Sequence, residues 1–316
     1  MSLRTRRLLV LTGKGGVGRT TLSLALGIAA GRAGLRTCVL SLHGEPHLAH
    51  IAGLGSPSYS PRALTPQVDV RTLSPTDCLA DFGQRKLRLP GLARWFFESR
   101  LMTGFIESVP GLADLVQLGK IEDMLNHPLQ DETAYDLAIL DGPATGHGLS
   151  LLAGARAMAE MTRVGPFFDL ANIIATFLSD ASATGFLVAT LPEALPAQEA
   201  TELCHALTTD HAPPAAVIVN QVLQPAMPDD ISIHALRQLP FAAALAEVVA
   251  TLAEDALRQS ARQREALRVL RAGLADLPAA AVAPIFTAPR VATPPRGLVA
   301  LEPLAEALAP LFEVHP

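Results

Sequence analysis

Six short runs along the chain are almost continuously apolar: "RLLVLT" from Arg7, "TCVLSL" from Thr37, "YDLAILD" from Tyr135, "GFLVATL" from Gly185, "AAVIVNQV" from Ala215 and "AAVAPIF" from Ala280. Runs of this kind, with no polar alternation, suit strands covered on both faces, and longer helical patterns separate them. The alternation predicts an α/β fold with a doubly wound, mostly parallel sheet. Between Asp77 and Ala134 the pattern changes. Leu92, Trp95, Phe96, Met102, Phe105, Ile106 and Val109 follow a 3.6-residue spacing, which predicts a helical insertion. A second helical stretch, Leu149 to Leu178, follows the third run. Towards the C-terminus "TLAEDALRQSARQREALRVLRAGL" reads as a charged amphipathic helix, and "PPRGLVALEPLAEALAPLF" as a loop and a closing helix. Without an internal repeat or a low-complexity linker, the chain reads as one domain, 1–316, with a helical subdomain over about 77–134 and 149–180.

Composition supports a large core, since 49% of the 316 residues are hydrophobic and only 17% charged. No apolar run reaches the ~18 residues of a membrane span, and the nearest, Leu170 to Leu191, is interrupted by Asp180. Arg4, Arg6 and Arg7 precede a short apolar run that leads into glycines without a cleavage site. The expectation is a cytoplasmic protein that is not integral to a membrane. A net charge of −5 argues against a nucleic-acid partner. Cys38, Cys78 and Cys204 are odd in number and far apart, with no C-x-x-C, so neither a disulfide framework nor a thiolate zinc site is indicated. The one Trp, together with Phe82, Phe96, Phe97, Phe105, Phe167, Phe168, Phe177, Met102, Met124, Met158 and Met161, falls in the two helical stretches. These side chains either pack the insertion onto the sheet or form a surface that holds apolar partners.

The chemistry concentrates in "VLTGKGGVGRTTLSLALG", Val10 to Gly27. Gly13, Gly15, Gly16 and Gly18 let successive backbone N–H groups curl around an anion, and the helix that follows points its positive end at the same place. Thr20 holds the position whose hydroxyl ligates magnesium beside bound phosphates. A phosphate loop usually ends in Gly-Lys-Ser/Thr. Here Arg19 fills the lysine slot, and a lysine stands five residues earlier, at Lys14.

"KGGVGRTT" resembles the deviant phosphate loop "KGGVGKTT" of the Min and partition ATPases, the nitrogenase iron protein and the arsenite-pump ATPases. "YDLAILDGPATGHGLSLL" resembles the second switch of the arsenite-pump and tail-anchored-protein-targeting ATPases. "VPGLADLVQLGKIEDML" and "LVATLPEALPAQEATEL" are similar to that family too, and the resemblance runs from about Arg7 to Phe312, weakest between Gly44 and Arg88. It implies a P-loop NTPase domain that binds ATP or ADP with Mg2+. By the same resemblance Gly13, Lys14, Gly15, Gly16, Val17, Gly18, Arg19, Thr20 and Thr21 surround the phosphates. Lys14 acts across a dimer interface, Thr20 and Asp141 flank the magnesium, and Thr145, Gly146 and His147 sense the γ-phosphate. Asn220 reads the adenine edge, with Ile285, Phe286 and the "PPRGL" loop as the wall beside it. Read without the resemblance, Asp141 is either a helix cap or a magnesium ligand, with the phosphate loop on the first strand favouring magnesium, and Asn220 is a turn former or helix cap.

Two departures bear on hydrolysis. Arg19 keeps the charge of a lysine but carries it on a longer, planar fork. Where the family has "DPAHNLSD", this chain has "HGEPHLAH", so His43 and His50 align with the two carboxylates. His50 is a candidate for orienting or deprotonating water. Loss of hydrolysis is the other reading. His43, His47 and His50 with Glu45 also raise a metal site, although a helix opened by Pro46 leaves only His47 and His50 on a shared face. The expected function is a dimeric ATP-binding switch, a homodimer or a heterodimer with a paralogous ATPase, whose slow or partner-dependent hydrolysis is coupled to an apolar protein client. The alternative is a non-hydrolysing subunit that pairs with an intact paralogue. Arsenite transport and zinc-stapled dimerisation are disfavoured by the scattered cysteines.

Overall fold

Every position of β1 (Leu8–Gly13) and β2 (Thr37–Ser41) is buried, as continuously apolar runs require when both faces of a sheet are covered. The computed structural model describes residues 2–87, 104, 108–128, 133–142, 147–223, 232–238, 243–291 and 294–313. These add β3 (Arg62–Thr65), β4 (Val68–Thr72), β5 (Leu137–Asp141), β6 (Thr184–Thr190), β7 (Pro214–Val222) and β8 (Ile285–Pro289). The sheet runs β3-β4-β2-β5-β1-β6-β7-β8. All neighbours are parallel except β3 and β4. Each of the six apolar runs forms a strand, and β3 and β4 are additions to them. The last run is displaced: "AAVAPIF" begins with a 3-10 turn at Ala279–Ala281, and the strand starts only at Ile285.

The period-two alternation of the strands sends successive side chains to opposite faces and makes two cores. On one face Leu9, Leu11, Val39, Ile139, Leu187 and Ile218 pack under α1 (Arg19–Arg32), α2 (His47–Ile51) and α10 (Leu298–Leu308). On the other, Val10, Leu40, Leu140, Val188 and Val219 meet α3 (Pro75–Leu87), α4 (Leu112–Asn126), α5 (His147–Thr162), α6 (Pro166–Ser179), α7 (Ala194–Thr209) and the end of α9 (Ala243–Ala275). The short α8 (Ile233–Arg237) packs on α9. Both faces are thus wound with helices, as the sequence predicts.

In the stretch read from sequence as a helical insertion, the described residues form α3 and α4. Lys120 of α4, with its side chain 3% exposed, reaches Asp81 of α3 at 2.8 Å, and the Tyr59 hydroxyl donates to the same carboxylate at 2.6 Å. The predicted pattern at Leu92, Trp95, Phe96, Met102, Phe105 and Ile106 lies outside the described residues, as does Phe97. The second stretch is two helices rather than one, because Gly165 (φ 97°) and Pro166 end α5 and start α6. Phe82 stacks on Phe167 at 5.6 Å, and Phe177, Met124 and Met158 join the same core. For these residues the packing role holds, whereas Met161, Val164 and Ile173 stay exposed.

Cys38, Cys78 and Cys204 are free and buried. Among the described residues no helix is long and apolar enough to cross a membrane. α1 lies very close to the sheet: a Cβ on Gly27 would collide with Val39, and one on Gly31 would stand 2.6 Å from Val68 Cγ2. Gly27→Ala is therefore expected to cost about 1–3 kcal/mol of stability, read as a lower urea midpoint at unchanged slope.

Candidate functional site

The turn from β1 into α1 exposes backbone amides. Gly16 (φ 83°) and Gly18 (φ 88°) are left-handed, a conformation that glycine adopts without a Cβ penalty. Gly18 is the N-cap of α1 and offers the helix no side-chain acceptor. The first N–H groups of the helix therefore face outward together with its positive end, which is the arrangement that binds phosphate. A Cβ added to Gly15 or Gly16 would meet nothing within 4 Å, so the cradle is open.

The loop is held from β7, two strands away from β1 in the sheet. Asn220, 4% exposed near the end of β7, donates from Nδ2 to the Val17 carbonyl at 2.9 Å. A Cβ on Gly18 would strike this amide. Beside it lies a groove of about 570 Å³ lined by Gly18, Thr21, Asn220, Pro289, Arg290 and Pro295. Its size suits a nucleoside. Ile285 and Phe286 stand at the start of β8, one packed against each core, while the groove is walled by residues at and beyond the strand's C-terminal end.

Asp141 ends β5 opposite Leu11 of β1 and Ser41 of β2. Burial pushes its carboxyl up to about 6, with the charge of Glu45 adding, while a hydrogen bond from Thr20, the Arg19 guanidinium and Ser23 pull the other way. Ser23 Oγ is 3.5 Å from Asp141 Oδ1. A desolvated carboxylate beside the Thr20 hydroxyl is a hard, all-oxygen donor set, and it fits Mg2+ better than a soft metal. Ser23 follows Thr20 at i+3 on one helix face, a spacing that could have marked it from sequence.

The cations take distinct paths. Arg19 Nη1 donates to the Gly13 carbonyl at 3.0 Å, so the guanidinium lies back along its own loop. Burial lowers its pKa, against the attraction of Asp141 and Glu45. Lys14, with a side chain 54% exposed, extends away to Glu199 of α7 at 3.3 Å. His43, itself left-handed at φ 56°, turns its Nε2 to Asp114 of α4 at 2.8 Å. The His50 ring nitrogen on α2 accepts from Arg296. His47 opens α2 after Pro46, as the sequence predicts, and His43 lies outside that helix. Among the described residues no three His, Cys, Asp or Glu side chains are grouped to hold a metal. Thr145 and Gly146 lie outside the described residues, and His147 begins α5.

Over residues 6–175 the chain matches the model of the anion-transporting ATPases. The chain belongs to the anion-transporting ATPase family. The matched span runs from the residues before β1 into α6 and so contains the glycine-rich turn, Asp141, α3 and α4. Among curated relatives of this family member, ATPase BagA of Mycobacterium tuberculosis is 24% identical over 228 residues, covering 68% of this chain and 65% of its own length. ATPase ASNA1 homolog 1 of Paramecium tetraurelia is 24% identical over 268 residues, 72% of this chain and 77% of its own. The ATPase ASNA1 homolog of Entamoeba dispar is 25% identical over 258 residues, 70% and 77% respectively. The chain thus spans about 65% of the length of the mycobacterial relative.

Asn220→Ala leaves the buried Val17 carbonyl without its donor and is expected to cost about 1–3 kcal/mol, measured by thermal or urea unfolding. The hydrogen bond to Asp114, and the nearby charges of Asp114 and Glu45, raise the His43 pKa above its ordinary 6.5 against a smaller effect of burial. The stabilisation is thus fully present below pH 6.5 and fades as pH rises through the folded-state value. Wild type should exceed His43→Ala in stability at pH 6 and lose that margin towards pH 8, with NMR titration of His43 giving a midpoint above 6.5.

Proposed function

We propose that this ATPase-family protein is an ATP-binding switch that acts as a dimer and couples its nucleotide state to an apolar protein client. The observation that carries this reading is the convergence of three features at one edge of the sheet. The outward amides of residues 13–21 receive the phosphates, the groove beside Asn220 and Pro289 receives the nucleoside, and Thr20 and Asp141 are the residues that would hold Mg2+. When bound, the ion screens phosphate charge. The chain's own residues orient the phosphates through backbone N–H groups and restrain the loop through Asn220.

Lys14 is the residue for the second copy. Its tie to Glu199 is a half-exposed ion pair worth about 0–1 kcal/mol, so it yields readily when a partner's phosphates approach. Turnover is slow. Arg19 is engaged by its own loop, and His43 and His50 are engaged by Asp114 and Arg296 instead of standing ready beside a phosphate. Those engagements also favour a second reading, in which the chain binds nucleotide without hydrolysing it and pairs with an intact paralogue. Among the described residues, the exposed Met161 and Val164 near the α5–α6 turn and Ile173 on α6 offer an apolar surface to a client.

Calorimetry with ATP and ADP, phosphate release and sedimentation velocity test the proposal together. Wild type should bind both nucleotides with Mg2+, sediment as a dimer with ATP and release phosphate slowly. Lys14→Ala should bind nucleotide as wild type does and stay monomeric with ATP. Absence of nucleotide binding sinks the reading, tight binding with zero release selects the non-hydrolysing subunit, and an unchanged dimer in Lys14→Ala removes the trans role of the lysine.

A further inference from the structure

The loop that leaves β2 doubles back on itself. His43 (φ 56°) and Gly44 (φ 71°) are consecutive left-handed residues, and non-glycine backbone of this kind persists only where its surroundings enforce it. The Gly44 N–H donates to the Leu73 carbonyl at 2.9 Å and the Glu45 N–H to the Leu42 carbonyl at 3.2 Å. Ser41 Oγ reaches the Glu45 carbonyl at 3.4 Å. Ser41 is itself the neighbour of Asp141 across the β2–β5 ladder. The reversal therefore folds Glu45 over the end of β2, one strand from Asp141, while the His43 side chain leaves in the direction of α4. Glu45 is exposed, and its charge is felt at Arg19, Asp141 and His43 alike.

We infer that Glu45 supplies the first-switch carboxylate of this chain, placed so that it would accept hydrogen bonds from the water of a magnesium ion that Thr20 and Asp141 would hold. The inference rests on the nucleotide-binding reading above and deepens it. The two aligned histidines are both occupied away from the phosphate loop, and Glu45 is the acidic side chain of this loop that stands among the charged groups of the site. Its charge also bears on Arg19. Arg19 is attracted by both Asp141 and Glu45, so the two carboxylates outnumber this guanidinium, an excess that a dication relieves and a bare phosphate chain aggravates. Glu45 is a positioning residue. It orders water around the ion and repels metal-free nucleotide, so its signature is a dependence on magnesium and not a general loss of affinity.

The test is isothermal titration of the full chain with ADP and with a non-hydrolysable ATP analogue, each in Mg2+ and in EDTA, for wild type and Glu45→Gln. The substitution is close to isosteric at an exposed position, and matched melting curves confirm that both chains are folded. The expected result is that Glu45→Gln loses about tenfold of the affinity gained from Mg2+, as for other partners that hold a metal's ligands, and binds metal-free nucleotide more tightly than wild type in EDTA. Equal weakening in Mg2+ and EDTA overturns the inference, because Glu45 would then only brace Arg19. Identical affinities for both chains in both conditions overturn it as well, while leaving nucleotide binding intact. A wild-type chain that binds no nucleotide removes the parent reading and this one with it.

Discussion

One buried hydrogen bond orders the ligand edge of this protein. Asn220 and the Val17 carbonyl are 203 residues apart in sequence, and their contact joins the end of β7 to the turn after β1. By drawing a carbonyl of the loop inward, it leaves the neighbouring N–H groups directed outward, where they can serve an anion. The same amide fills the space a Cβ would need at Gly18. Glycine is thus demanded there twice, by its left-handed backbone and by its neighbour. With the Arg19 hydrogen bond to the Gly13 carbonyl, that contact braces the loop in front of the helix terminus.

The sheet places the other polar groups by register. β1, β2 and β5 are parallel and adjacent, so their C-terminal ends coincide, and Leu11, Ser41 and Asp141 lie side by side. A polar residue at such an end costs little of the core, because the apolar body of each strand is already buried. α1 then crosses this edge with Thr20 and Ser23 on one face, and its close approach at Gly27 and Gly31 sets how near they come to Asp141. Packing at the far end of α1 and chemistry at its start are parts of one rigid body.

Much of this was legible in the chain. The apolar runs gave six strands, and glycine spacing located the loop, because both signals are local. β4 escaped because Asp69 and Arg71 interrupt its apolar character. Both are buried, Asp69 against Arg36 and Tyr135 and Arg71 against Tyr59 and Met124, in a polar network that no periodicity reveals. β3 is four residues at the sheet's edge and carries little apolar signal. In the site, alignment located His43 and His50 but could not give their directions. Those depend on a left-handed residue and on Arg296, 246 positions away from His50. Glu45 was visible only as a residue between histidines, since its place follows from a chain reversal.

The three thiols have a practical meaning. Burial pushes Cys38, Cys78 and Cys204 up to about 12. Such thiols stay protonated at neutral pH, and the thiolate is the species that reacts. The native chain is therefore close to blank towards maleimides and disulfide reagents. A single cysteine introduced on the exposed surface would be its sole reactive handle, so a fluorophore or spin label could follow the approach of two copies without first removing any native cysteine.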